Sequence, residues 1–483
     1  MSKRYFAAIG LSIVVGLASP GVSAQDGTRD VLAAAAKAIG ADGLRTLEYS
    51  GSGFDFAFGQ AYAPGEAWPK FNVKSYKRAV DFERPASLAS RVRTQFENPP
   101  RGGGLQPING EQTQTQTIVG ASDTPWVQQL EIWMTPHGFL KAAASRNATS
   151  RTQTTAGKRY TVVTFSGGNK ADVNGYINDQ HLVERVETRI DSPMLGDMTY
   201  ESAYSDYKDF TGIKFPTHII QSQAGSPILD LTISDVKPNV PVTIQPAAPA
   251  GQPATATPGG TSLPTEKVAD GVYLILGAGA ISVAFDFKDY AVVMEAPASE
   301  ARGEAVIAET KRLIPNKPIR YVINTHHHFD HSSGLRPFVA EGATIVTHQV
   351  NKPYYEKVLA APRTLNPDRL QQAKKKIAVE AVDDKRVLTD GNQVLELYHV
   401  RENRHNAGIL FAYLPKQKVL IQADMIGAPT PNGPPPVNVF GENFLTNVSR
   451  LKLDVNRMIP IHYPADGKPV LWPDLMRSLG RSH

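Results

Sequence analysis

Cysteine is absent from all 483 residues. That excludes disulfides, thiolate metal ligands and a lipid-anchoring cysteine behind a leader. Charge of one sign is also scarce. With 51 Lys and Arg against 46 Asp and Glu, the formal charge is only +5, too weak a balance to argue for nucleic acid or an anionic membrane. Long apolar runs are missing except near the start, where Phe6 to Leu17 stops well short of the ~20 residues that a membrane span needs. What remains, 41% hydrophobic and 20% charged, is the composition of a globular protein. Its length exceeds one ordinary core and predicts two domains.

The apolar run at the start has its own logic. Lys3 and Arg4 precede it, Ser19-Pro20 break it, and Val22-Ser23-Ala24 supply small residues ahead of Gln25. Residues 1–24 therefore read as a secretory signal peptide cut after Ala24, which predicts a periplasmic or secreted protein. Its removal takes the charge from +5 to +3, because Lys3 and Arg4 leave and no acid does.

Residues 25–240 read as a β-rich domain. A helix over Thr28 to Ile39 is rich in alanine and closed by Gly40. About eight short runs of β-branched and aromatic residues follow, from Leu44 to Phe58 through Leu229 to Ile233, with a second short helix over Phe139 to Ser145. This predicts a mainly antiparallel α+β domain around a curved sheet. The Gly, Gln and Thr-rich stretch from Pro99 to Gln116 reads as a loop. The segment Tyr204 to Pro216 resembles a hairpin of periplasmic lipoprotein-carrier-like half-barrels, which makes an apolar molecule the candidate ligand of this domain. His137, His181 and His218 lack ligand spacing and read as packed or surface residues.

Residues 241–264 are dominated by Pro, Ala, Gly and Thr and read as an extended linker. From residue 265 to 483 strands alternate with helices, which predicts a layered α/β domain. A long charged stretch, Asp368 to Lys376, reads as a solvated helical face.

The apolar strand Ile319 to Ile323 delivers Thr325-His326-His327-His328-Phe329-Asp330-His331. Three imidazoles and a carboxylate in the spacing His-x-His-x-Asp-His are costly to hold together unless something binds them, and zinc is the first candidate. Further on, His405 starts the loop before a strand, while Asp424 and His462 each end an apolar one. Five of the twelve histidines fall in this set, all beyond the linker.

With these motifs the region from Glu266 to about Trp472 resembles the metallo-β-lactamase-fold hydrolases. The resemblance implies an αββα sandwich with a dinuclear site on one edge. By motif match His326, His328 and His405 would hold one metal, Asp330, His331 and His462 the other, and Asp424 would bridge. Two zinc ions per chain, or other divalent metals, would lower the pKa of a bridging water towards ~7, giving a hydroxide that attacks an electrophilic carbonyl or phosphorus. Asp330 is then the catalytic candidate, orienting the nucleophile and passing its proton to the leaving group. His327, between ligands, should point away from the metals.

Departures from the family's patterns narrow the reaction. His328 stands where redox-active diiron members carry glutamate, which favours hydrolysis. Asp424 stands where some β-lactamases have cysteine or serine. The short span from Asp424 to His462 leaves no room for the insertion domain of the fold's nucleases, and the stretch after His462 is too short for the thioester-binding extension of glyoxalase II. Asn406 follows His405 where Thr or Ser is common, and Glu295-Ala-Pro ends the first strand where Asp-Thr-Gly is usual. Ala428 to Pro436 is a candidate substrate wall or a connector, and Tyr463 a candidate oxyanion donor or packing residue. The expected protein is an exported zinc hydrolase of a small ester, lactone or thioester. A β-lactamase, and a periplasmic carrier or sensor with a structural metal domain, are the alternatives.

Overall fold

The computed structural model describes residues 24–481 apart from 121–123, 169, 246–262, 278, 428–436 and 465–466. Residues 1–23 of the expected signal segment, most of the linker and the proline-laden 428–436 loop lie outside the described residues.

Eleven strands between Thr46 and Pro238 form one antiparallel sheet. The first, Thr46–Phe56, pairs with the last, Ser226–Pro238. Two meanders therefore run outward from a shared centre to edges at Gln112–Val119 and Thr149–Thr155. Helices Ala24–Ile39, Trp126–Trp133 and Pro136–Ala144 bury their apolar sides in the same core as the sheet, with Ile39, Leu130 and Phe139 against Leu47, Val163 and Phe215. Gly175 is required where a strand passes under Phe139, because a Cβ there would lie 2.1 Å from the ring.

The carboxy-terminal domain is the αββα sandwich. A seven-stranded sheet from Thr265–Ala269 to Val379–Val382 faces a six-stranded sheet from Lys385–Thr389 to Val470–Leu471. Val283, Phe285, Ile323, Leu397, Ala412 and Ile421 fill the space between them. Helices Glu300–Leu313, Leu335–Ala340 and Lys352–Val358 cover the outer face of the first sheet, and Val439–Leu451 with Trp472–Ser478 cover the second. Strands such as Ala291–Met294 and Val419–Gln422 are buried at every position, as expected of strands covered on both faces. Ala291–Met294, Ile319–Ile323 and Thr344–His348 run parallel, and Val419–Gln422 runs parallel to Arg457–Pro460. Their carboxyl ends thus share one edge, where open α/β sheets place their sites.

Several sequence-based expectations are corrected. The Pro99 to Gln116 loop is partly strand, since Gln112–Val119 pairs with Ala86–Gln95. Thr149–Thr155 and Asp172–Ile177 are further strands, and Trp126–Trp133 a further helix. Both edge strands expose residues on each face, so they carry no apolar alternation to read. The charged stretch from Asp368 forms only the short helix Arg369–Ala373, which ends where Lys374 turns left-handed at φ 49°.

The two domains pack directly on each other. Arg363, with 1% of its side chain exposed, donates to Glu300 and Asp368 in its own domain and to Asp191 of the large sheet, at 2.5–2.8 Å.

Candidate metal centre

All seven residues singled out in the sequence converge at the shared strand edge. His326, His328, His405 and Asp424 form one group, and Asp330, His331, Asp424 and His462 a second; within each, the potential ligand atoms lie within 4.8 Å of one another. Asp424 belongs to both. Its Oδ2 is 3.1 Å from His331 Nε2, 3.2 Å from His405 Nε2 and 3.5 Å from His326 Nε2, while its Oδ1 is 2.8 Å from His462 Nε2. Asp330 Oδ2 lies 3.6 Å from His331 Nε2 and 4.0 Å from His462 Nε2.

Local structure aims these side chains. Ile319–Ile323 ends directly before the histidine run, which then turns into the short helix Phe329–Ser332. Asp424 follows Val419–Gln422 with φ 60°, a left-handed state that costs a non-glycine residue energy and is concentrated at functional sites. Glu295, at the end of Ala291–Met294, does the same with φ 72°.

Four of the five imidazoles have the ring nitrogen away from the cluster engaged. His331 Nδ1 lies 2.6 Å from Glu295 Oε2, His462 Nδ1 2.6 Å from the Gly279 carbonyl, His326 Nδ1 3.0 Å from Thr325 Oγ1, and His328 Nε2 2.9 Å from the Ala61 carbonyl. Such partners fix the tautomer and orientation of metal-binding histidines. His328 Nδ1 is buried inside the cluster with no hydrogen-bond partner. A divalent metal fits this donor set of imidazoles and carboxylates: it would satisfy that nitrogen and the facing pair His326 Nε2 and His405 Nε2, 3.2 Å apart.

The electrostatics agree. Burial holds His326 and His328 well below the ordinary imidazole range, so both rings are neutral, the form that binds metal. For His331 burial acts against charge, but the carboxylates of Asp424, Asp330 and Glu295 outweigh it and hold the ring well above that range. Burial likewise opposes the Asp424 carboxylate, and His331 and His462 overcome it, keeping the acid well below its usual range. The centre therefore attracts positive charge, which a metal can supply in place of protons.

Other expectations meet the structure residue by residue. His327 belongs to neither ligand group; its Nδ1 is 3.1 Å from Asn406 Nδ2, and burial pushes its pKa down to about 3. Tyr463 turns to Glu266 and Arg457 and is not an oxyanion donor here. His348 and His399 stack on each other at 3.9 Å, outside both groups. His137 is buried against the Ile39 carbonyl, and His218 pairs with Asp230. Glu295 takes up the place at the first strand end: it accepts from Thr325 N at 2.7 Å as well as holding His331. Sequence reasoning noted its unusual type but not this role. It missed the amino-terminal residues Gln60 and Ala61 altogether, since nothing near them has metal-ligand spacing.

Residues 277–480 match the family model described as the metallo-beta-lactamase superfamily. The carboxy-terminal domain belongs to that superfamily and has its fold. Solved structures similar to the chain include the DIM-1 metallo-beta-lactamase exposed to ceftazidime, at 17% identity over 46% of this chain and 96% of that one, TM-score 0.32. The flavodiiron protein from Giardia intestinalis is similar at 15% identity over 46% and 59%, TM-score 0.35. The inverting sec-alkylsulfatase Pisa1 from Pseudomonas sp. follows at 16% identity over 45% and 40%, TM-score 0.33. No curated protein matches the chain.

Proposed function

We propose that the protein is an exported metal-dependent hydrolase, using two zinc ions or other divalent metals to cleave a small ester, lactone or thioester. The observation that carries this reading is the pair of donor groups sharing Asp424. A structural zinc site would instead be a single ion closed by four ligands of its own, whereas these two groups share one carboxylate. When bound, the metals supply a water acidic enough to act as nucleophile near neutral pH.

The protein's own residues divide the remaining work by exposure. Five of the seven are buried, whereas the side chains of Asp330 and His462 are 43% and 27% exposed. Substrate therefore approaches from the side of these two. Asp330 presents Oδ2 towards His331 and His462, from where it orients the attacking water and later passes the proton to the leaving group. The buried imidazoles hold the far side of the centre dry.

A hydrolysis panel on the zinc-loaded protein tests this. Esters, lactones or thioesters should be cleaved, and Asp330→Asn should lower kcat by about 10²–10⁴-fold. Cleavage of nitrocefin and carbapenems alone would replace the reading with a β-lactamase. No turnover, with a lipid co-purifying on the full chain, would favour the carrier. For export, amino-terminal sequencing of the mature protein should begin at Gln25.

A further inference from the structure

The amino-terminal domain reaches into the candidate metal centre. Its segment from Ala57 to Pro69 is a braced loop, closed by Ala57 N to Pro69 O at 2.8 Å and tied to a second loop by Gly103 N to Gln60 O at 3.0 Å. The Gly59 carbonyl accepts from Phe329 N at 3.2 Å, and the Tyr62 carbonyl from Ala407 N at 2.9 Å. Thus the loop bonds to the backbone directly after His328 and two residues after His405. Phe58 and Trp68 pack their rings on Phe329 at 5.3 and 5.9 Å. The fit is close at Gly59, with φ +80°, where a Cβ would fall 2.5 Å from the Phe329 ring.

Two contacts from this loop bear on the ligands themselves. A backbone carbonyl can only accept, so Ala61 O, 2.9 Å from His328 Nε2, requires the proton on that nitrogen. His328 Nδ1 is then left with its lone pair, and it is the atom that is buried without a partner. The second contact is Gln60 Nε2, which donates to Asp330 Oδ1 at 2.8 Å. A carboxylate only accepts, so the amide must present its nitrogen. With Oδ1 held, Oδ2 is the oxygen turned to His331 and His462.

We propose that the amino-terminal domain completes the metal centre, with Gln60 a positioning residue for Asp330 and the Ala61 carbonyl setting the binding tautomer of His328. The inference rests on the metal-centre reading above. Each half of the centre then has one partner supplied from about 270 residues away in the chain, and the sheet domain is a working part of the active site.

The test titrates metal-stripped full-length protein with Co²⁺ and Zn²⁺ against a competing chelator. Wild type should bind two ions. Gln60→Ala should bind one with wild-type affinity and the other about 10–100-fold more weakly, the usual effect of losing a ligand's hydrogen-bond partner. The cobalt absorption should change only in the weaker step. Combined with Asp330→Ala, the losses should not add, because Gln60 acts through Asp330. Gly59→Val, which pushes the loop off Phe329, should weaken both ions while the protein still unfolds cooperatively. Wild-type affinities for both ions in Gln60→Ala, or additive losses in the double variant, would overturn the proposal while leaving the metal centre standing. A wild-type protein that binds no metal would overturn both.

Discussion

Glu295 and Asp424 hold left-handed backbone in buried positions, a strain of order 1–3 kcal/mol each. The strain turns two carboxylates into a cluster of imidazoles. Glu295→Gln keeps the shape but removes the charge from His331 Nδ1, so affinity for the His331-side metal should fall about 10–100-fold in chelator competition. The clustered histidines and aspartates were legible, because the residue types able to hold a metal are few and these follow apolar strands. Gln60 and Ala61 were not: a glutamine side chain and a backbone carbonyl acquire their roles only through tertiary packing.

A different histidine tests burial alone. His137 is wholly buried in the sheet domain and belongs to neither candidate ligand group, and burial lowers its pKa to about 4. Its ordinary value is ~6.5, so the unfolded chain binds the extra proton between those limits and stability drops as pH falls through that window. The contribution is fully present above pH ~6.5 and amounts to roughly 3 kcal/mol lost by pH ~4. In denaturant titrations His137→Gln should lose less stability than wild type over that range and match its slope above it.

At the scale of elements, strand ends carry the site and caps fix what surrounds it. Helix Val439–Leu451 starts at Asn438, whose Oδ1 accepts from Phe440 N and Gly441 N. Its Nδ2 also reaches Leu105 O and Gln106 Oε1 of the amino-terminal domain. Asn438→Ala should cost about 1 kcal/mol for the cap, measured by urea unfolding. This helix is a further one that the sequence reading passed over, although its buried Phe440, Phe444, Leu445 and Val448 recur at helical spacing. The edge strands Gln112–Val119 and Thr149–Thr155 were not legible, since polar residues on both faces leave no period to detect. Buried strands such as Ile319–Ile323 were plain for the opposite reason.

For the whole molecule, a proline-rich stretch read as a tether between two domains, and the structure adds an ion network that joins them directly. Arg363 joins Asp191, Glu300 and Asp368. Removing it in Arg363→Ala leaves the buried Asp368 and the half-buried Asp191 and Glu300 without that partner and should cost about 3 kcal/mol. Calorimetry should show one wild-type transition split into two. Contacts of this kind join residues far apart in sequence, and no local pattern announces them.

Counting metals per folded chain decides whether the proposed centre is dinuclear and bridged by Asp424. Elemental analysis of metal-loaded, full-length protein should give two divalent ions in wild type, and fewer than two in Asp424→Ala, because that carboxylate belongs to both ligand groups. One ion or none in wild type, or two retained without Asp424, would rule the bridged dinuclear centre out.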